Sequence, residues 1–99
     1  MTGEVANMVV LGSGDNVGVA LRDIDAGMRA HTLGGREIEA AEAIPQGHKI
    51  ALVDIPADAL IVRFGMPIAI ASKSIAKGHL VHVHNVASRY LNNDEDHYE

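Results

Sequence analysis

A mainly β domain of short strands is what this sequence predicts, and three observations carry that expectation. Turn-forming clusters recur every six to twelve residues. No segment holds ten residues of helical periodicity. The pattern Ile-x-x-Gly-x occurs three times, at Ile24–Met28, Ile44–His48 and Ile75–His79, each time ahead of a strand-like run. Such a unit combines an apolar anchor, a turn closed by a glycine able to take positive φ, and re-entry into a sheet. The spacings of 20 and 31 residues are unequal, which excludes a solenoid and suggests one turn-strand device reused around a small irregular barrel.

Taken in order, Glu4 to Leu11 supplies the apolar bulk of a first strand, and Gly12-Ser13-Gly14-Asp15-Asn16 is a turn cluster. Val17 to Leu21 resumes extended structure, Asp23 to Gly27 turns, and Met28 to Leu33 is a further strand. Gly34-Gly35 suits a two-residue hairpin. Arg36 to Ala43 alternates in part, with a helix over Glu37 to Ile44 as the local competitor because Ala and Glu are abundant there. His48 to Ile55 reads as a strand, and Pro56 to Leu60 as one helical turn with proline near its start. Ile61 to Phe64 is extended, Gly65-Met66-Pro67 turns, and Ile68 to Ser72 is extended again.

The run Gly78-His79-Leu80-Val81-His82-Val83-His84-Asn85 holds three of the six histidines and reads as one strand. Side chains alternate across a strand, so His82 and His84 would lie on one face, about 7 Å apart. Two imidazoles so placed can share a metal ion, grip an anion, or simply decorate an edge strand. A catalytic metal usually takes three protein ligands, so His48, His79, Asp54 or another chain would have to supply the third. His48 after the Gly47 turn is a candidate proton shuttle, with Lys49 beside it, and Arg63 is a candidate carboxylate clamp.

Ninety-nine residues with 47% hydrophobic content make one domain, expected over residues 1–91 with an acidic, disordered tail over 92–99. Phe64, Tyr90 and Tyr98 are the only aromatics, so the core must be aliphatic. Four acids fall in the last eight positions, leaving residues 1–91 with nine acids against eight bases. A nearly neutral, aromatic-poor body offers neither the basic stripe nor the stacking platform of a nucleic-acid binder. The absence of cysteine excludes disulfides and thiolate metal sites. The sequence contains no signal-peptide pattern and no stretch of membrane-spanning length, so no membrane partner and a cytoplasmic location are expected.

Four segments in order carry a resemblance: Asp15-Asn16-Val17-Gly18-Val19-Ala20, Ile44-Pro45-Gln46-Gly47-His48-Lys49-Ile50-Ala51, Val62-Arg63-Phe64-Gly65-Met66-Pro67-Ile68 and Gly78 to Asn85. Together they resemble the N-terminal SAF-type domain of the altronate/galactarate dehydratase family, whose pattern includes PxGHK, KYGxxIG and VHxHN. The resemblance implies a β-clip fold, and a unit either fused to a large catalytic domain or standing alone as a small subunit. It also implies a carbon–oxygen lyase acting on sugar acids or other 2-hydroxy carboxylates, not active alone, often dependent on a divalent metal such as iron. A related enzyme, sulfolactate sulfo-lyase, has an alpha subunit of the same kind and eliminates sulfite instead of water; a non-catalytic acid- or metal-binding module is a third possibility, and homo-oligomerisation stays open. Carried over by motif, His48, His82 and His84 are the implied catalytic residues, Lys49, Arg63 and Asn85 the substrate-binding ones, and His82 with His84 the metal ligands. Two departures stand out: Arg63-Phe64 replaces Lys-Tyr, keeping the charge and losing a hydroxyl, and Ala69 replaces the second glycine of that motif.

Overall fold

The computed structural model describes residues 5–82 and 84–88. Their regular structure is entirely β: β1 (Met8–Val9), β2 (Val17–Ala20), β3 (Arg29–His31), β4 (Glu37–Glu39), β5 (Lys49–Ala51), β6 (Leu60–Arg63), β7 (Met66–Ala71), β8 (Leu80–Val81) and β9 (Val86–Ser88). β1-β2-β5-β8 form a four-stranded sheet, β3-β4 a hairpin and β6-β7-β9 a three-stranded sheet, with every pairing antiparallel. The expected barrel is therefore replaced by small open sheets, because bends break the chain after two to six residues of strand.

The bends follow one plan. Between β2 and β5 the chain leaves the main sheet as a ribbon tipped by β3-β4, and Ile24 and Ile44 join its two arms through reciprocal N–H···O bonds of 2.9 and 2.8 Å. Between β5 and β8 a second ribbon is tipped by β6-β7, and Ile55 and Ile75 join it in the same way at 2.8 Å each. The Ile-x-x-Gly unit thus occurs four times, not three. In the fourth, Ile55-Pro56-Ala57-Asp58, an aspartate takes the left-handed backbone (φ 73°) that Gly27, Gly47 and Gly78 take in the others. Aspartate tolerates that region better than most residues. This turn stands where a helical turn was expected, and β4 stands where a helix competed.

Residues 20–50 and 51–81 are consequently two copies of one design, 31 residues apart, opening on Ala20-Leu21-Arg22-Asp23-Ile24 and Ala51-Leu52-Val53-Asp54-Ile55. Asp23 Oδ1 accepts from Gln46 N at 2.9 Å, and Asp54 Oδ1 from Lys77 N at 2.9 Å. Asn7 clamps β3 by accepting from His31 N (2.7 Å) and donating to Arg29 O (3.0 Å). Asn16 clamps β6 identically, through Val62 N and Leu60 O at 2.8 Å each.

Each copy has its own core. Met8, Ala20, Ile24, Ile38, Ile44 and Ile50 pack together in one, and Val17, Ala51, Ile55, Ile61, Ile75 and Val81 in the other. Strand alternation explains the division, since neighbours on β5 point to opposite faces of the main sheet. Each fully buried isoleucine contributes about 1.5–3 kcal/mol. Among the described residues, no helix is long and apolar enough to cross a membrane. The predicted tail over 92–99, and with it the boundary at residue 91, lies outside the described residues.

Candidate functional site: a cationic edge of the main sheet

In the β5-β8 ladder Lys49 stands opposite Val81 and Ile50 opposite Leu80. One rung further, at the mouth of the sheet, His48 meets His82, with ring centroids 4.6 Å apart and planes inclined by 57°. Lys49 sits half-buried between Val81 and Val19, its partner on β2. Burial, and then the nearby charge of Arg63, hold its pKa below the ordinary lysine value. Arg63 ends β6 with its guanidinium carbon 5.3 Å from the Phe64 ring centroid, and its Nε is buried without a hydrogen-bond partner. The pKa of His82 is lowered first by burial and then by the positive charges of His48, Lys49 and His84. Among the described residues none of these four groups pairs with a carboxylate. Three motifs distant in sequence thus converge on a basic patch that, among the described residues, no carboxylate pairs with, a setting that suits an anion.

Two asparagine and aspartate side chains give the patch its shape. The expected strand from Gly78 to Asn85 stops at Val81, because Asn85 folds the chain back. Its Oδ1 accepts from His82 N (2.9 Å), its Nδ2 donates to Leu80 O (2.8 Å), and its own N–H reaches His82 O (3.0 Å). Only 6% exposed, Asn85 has its amide oxygen and one amide N–H engaged in holding this turn, and so it positions His82. Asp15 does the equivalent for Arg63. Its carboxylate accepts from Gly12 N (3.1 Å), Phe64 N (2.8 Å) and Gly65 N (2.7 Å), fixing the β6-β7 turn. Although burial opposes ionisation, these backbone donors hold its pKa below the usual carboxylate value.

The turn at Asn85 replaces the continuous strand that was expected to set the two histidines on one face. His82 packs on His48, whereas His84 borders another hollow, of about 310 Å³, with Glu42, Lys73 and His79. There one oxygen of Glu42 accepts from Leu80 N (2.9 Å) and pairs with His79 Nδ1 (3.0 Å). The Leu80 bond first, and then His79 and His84, lower the pKa of Glu42. Among the described residues, no three His, Asp or Glu side chains converge as a metal site would require. The described residues therefore do not by themselves make up the donor set of a metal centre. Neither the Glu42–His79 pair nor the role of Asp15 was legible beforehand: Glu42 lay in a partly alternating stretch for which a helix competed, and Asp15 in a glycine-rich turn.

The chain is 49% identical over 71 residues to an altronate dehydratase of Bacillus subtilis, covering 72% of this chain and 14% of that protein. It is 34% identical over 85 residues to an altronate dehydratase of Escherichia coli, covering 86% of this chain and 17% of that one. The (2R)-sulfolactate sulfo-lyase subunit alpha of Chromohalobacter salexigens is 38% identical over 53 residues, 54% of this chain and 56% of the subunit. The chain thus matches 14–17% of the dehydratases' length but more than half of the alpha subunit's. The altronate/galactarate dehydratase SAF domain matches from residue 6 to residue 89, nearly the whole chain, and it is to this family that the chain belongs.

Proposed function

We propose that this chain is the SAF unit of an altronate/galactarate-type sugar-acid dehydratase, acting as a small subunit that supplies one wall of an active site completed by a large catalytic body. The observation that carries this reading is the meeting of His48, Lys49, Arg63 and His82 at one sheet edge, with no carboxylate paired to them among the described residues. Lys49 and Arg63 take the substrate carboxylate, the guanidinium through its paired donors. His82, whose pKa is lowered by partial desolvation and its cationic neighbours, accepts the proton from the carbon beside that carboxylate. His48 gives a proton to the departing hydroxyl. The C–H and C–O bonds break, a double bond forms between the two carbons, and water leaves. His84, exposed on the same turn, serves the side of the site that the large body closes.

A divalent metal, iron being the expectation, would draw most of its ligands from the large body, and no step is assigned to it. A cytoplasmic location belongs to the same reading. One observation favours a second reading, the alpha subunit of a sulfolactate sulfo-lyase. The match takes in 56% of that subunit, against 14% and 17% of the two altronate dehydratases.

The deciding experiment combines the chain with a large dehydratase subunit and measures turnover of altronate, galactarate and sulfolactate. Loss of at least a hundredfold in kcat for His82→Ala, with the complex intact, is expected from removing a general base. Turnover indifferent to the chain, or to His48→Ala and His82→Ala, defeats the proposal. Sulfite release would favour the second reading, and ligand binding without any lyase partner a non-catalytic module.

A further inference from the structure

The largest exposed apolar side chains are not scattered. Leu33, at the tip of the β3-β4 hairpin, is 90% exposed, and Leu11, after β1, is 71% exposed. Both line a groove of about 250 Å³ that also takes in Val9, Val10, Leu21 and Thr32, with no charged residue in its walls. The groove follows β1, an edge strand of the four-stranded sheet. Gly12, next after Leu11, touches the β6-β7 turn so closely that a Cβ there would lie 2.3 Å from Gly65 N. That turn presents Phe64 (38% exposed) and Met66 (63% exposed), and Arg63 stacks on the Phe64 ring. The groove at Leu33 and Leu11 thus adjoins, through Gly12, the turn that presents Phe64 and Met66 beside Arg63, and we take the two together as one apolar strip bordering the cationic edge.

We propose that this strip is the docking face for the large catalytic body of the dehydratase. The inference rests on the function proposed above and adds the surface through which the two bodies meet. A contiguous exposed apolar patch marks an interaction site. Two observations identify the occupant. The matched region is only 14% of the Bacillus subtilis dehydratase, so a large body accompanies a unit of this type in that protein. The strip also runs into the catalytic edge, so a body seated on Leu33, Leu11 and Phe64 is carried to Arg63 and Lys49, where the missing groups are needed. A second copy of this chain would bring only another set of cations to that seam.

The test uses the full chain and a large dehydratase subunit with which the wild type gives turnover. The Leu11→Asp/Leu33→Asp double variant should bind that subunit at least tenfold more weakly by calorimetry, with an unchanged β circular-dichroism spectrum. Val53→Asp, also at an exposed apolar position but outside the strip, should bind as the wild type does. Equal binding by the double variant overturns the docking face while leaving the proposed function standing. So does light scattering that finds a wild-type dimer, dispersed by the double variant, in place of the complex. Failure of the wild type to bind or activate any large subunit removes both proposals.

Discussion

His48 and His82 occupy the rung next to Lys49 and Val81 in the β5-β8 ladder, with ring centroids 4.6 Å apart, although 34 residues separate them in the chain. Because of desolvation and then the cationic neighbours on that rung, His82 ionises less readily than free imidazole, whose ordinary pKa is 6.5. A base must be neutral to act, so kcat/KM falls as the pH drops through the pKa of His82, and the acid limb lies below 6.5. Replacing Lys49 by Met removes one of the charges responsible. The limb should then move to higher pH, and a pH profile in which it stays or moves lower contradicts the assignment.

Asp15 predicts a different pH dependence, one of stability. Its folded pKa is depressed, so its contribution is fully present above its unfolded pKa and is lost as the pH falls through the folded value. Asp15→Asn keeps the shape but sets an amide N–H against a backbone donor. A loss of about 1–3 kcal/mol at neutral pH is expected in urea unfolding. The gap from the wild type should narrow as the pH is lowered through the carboxylate range.

Gly47 and Gly78 stand at equivalent points of the two copies with nearly equal φ, +82° and +89°, but in unequal space. A Cβ on Gly47 meets nothing within 4 Å, whereas on Gly78 it meets Glu39 O at 2.6 Å. Gly47→Ala should therefore cost only the left-handed strain, about 1–2 kcal/mol. Gly78→Ala should cost clearly more, since a backbone must move. Equal chemical-denaturation midpoints for the two variants would contradict the close approach.

Asn85→Ala removes both amide bonds that fold the chain back behind His82. Destabilisation of about 1–3 kcal/mol is expected from the backbone groups left unpaired. If Asn85 positions His82, the variant also loses kcat with little change in KM. A change confined to KM would assign it to substrate binding.

Elements marked by glycine were legible in the sequence, because a turn needing positive φ leaves a residue-specific trace. Asp58 hid the fourth turn by meeting the same backbone demand without glycine. Hairpin reversal was foreseen at Gly34-Gly35, yet the loop also includes Leu33, for Thr32 closes it with reciprocal bonds to Arg36. Convergence of His48, Lys49, Arg63 and His82 could be reached only through family motifs, since contacts across a sheet leave no local periodicity. The turn that ends the strand at Val81 had a quieter sign: Asn85, a residue favoured in turns, lay at the end of a run dominated by valine and histidine.

The strand β5 belongs to both copies at once, with Ile50 in one core and Ala51 in the other. It is a party wall, and loosening it opens both rooms, so the halves stand or fall together. Their chemistry is not so tied. His48 and His79 hold the same place in the two copies, but the first faces cations and the second faces Glu42. The scaffold thus carries one tested geometry twice, and a change of reactive groups in either copy leaves the Ile24–Ile44 and Ile55–Ile75 rungs in place.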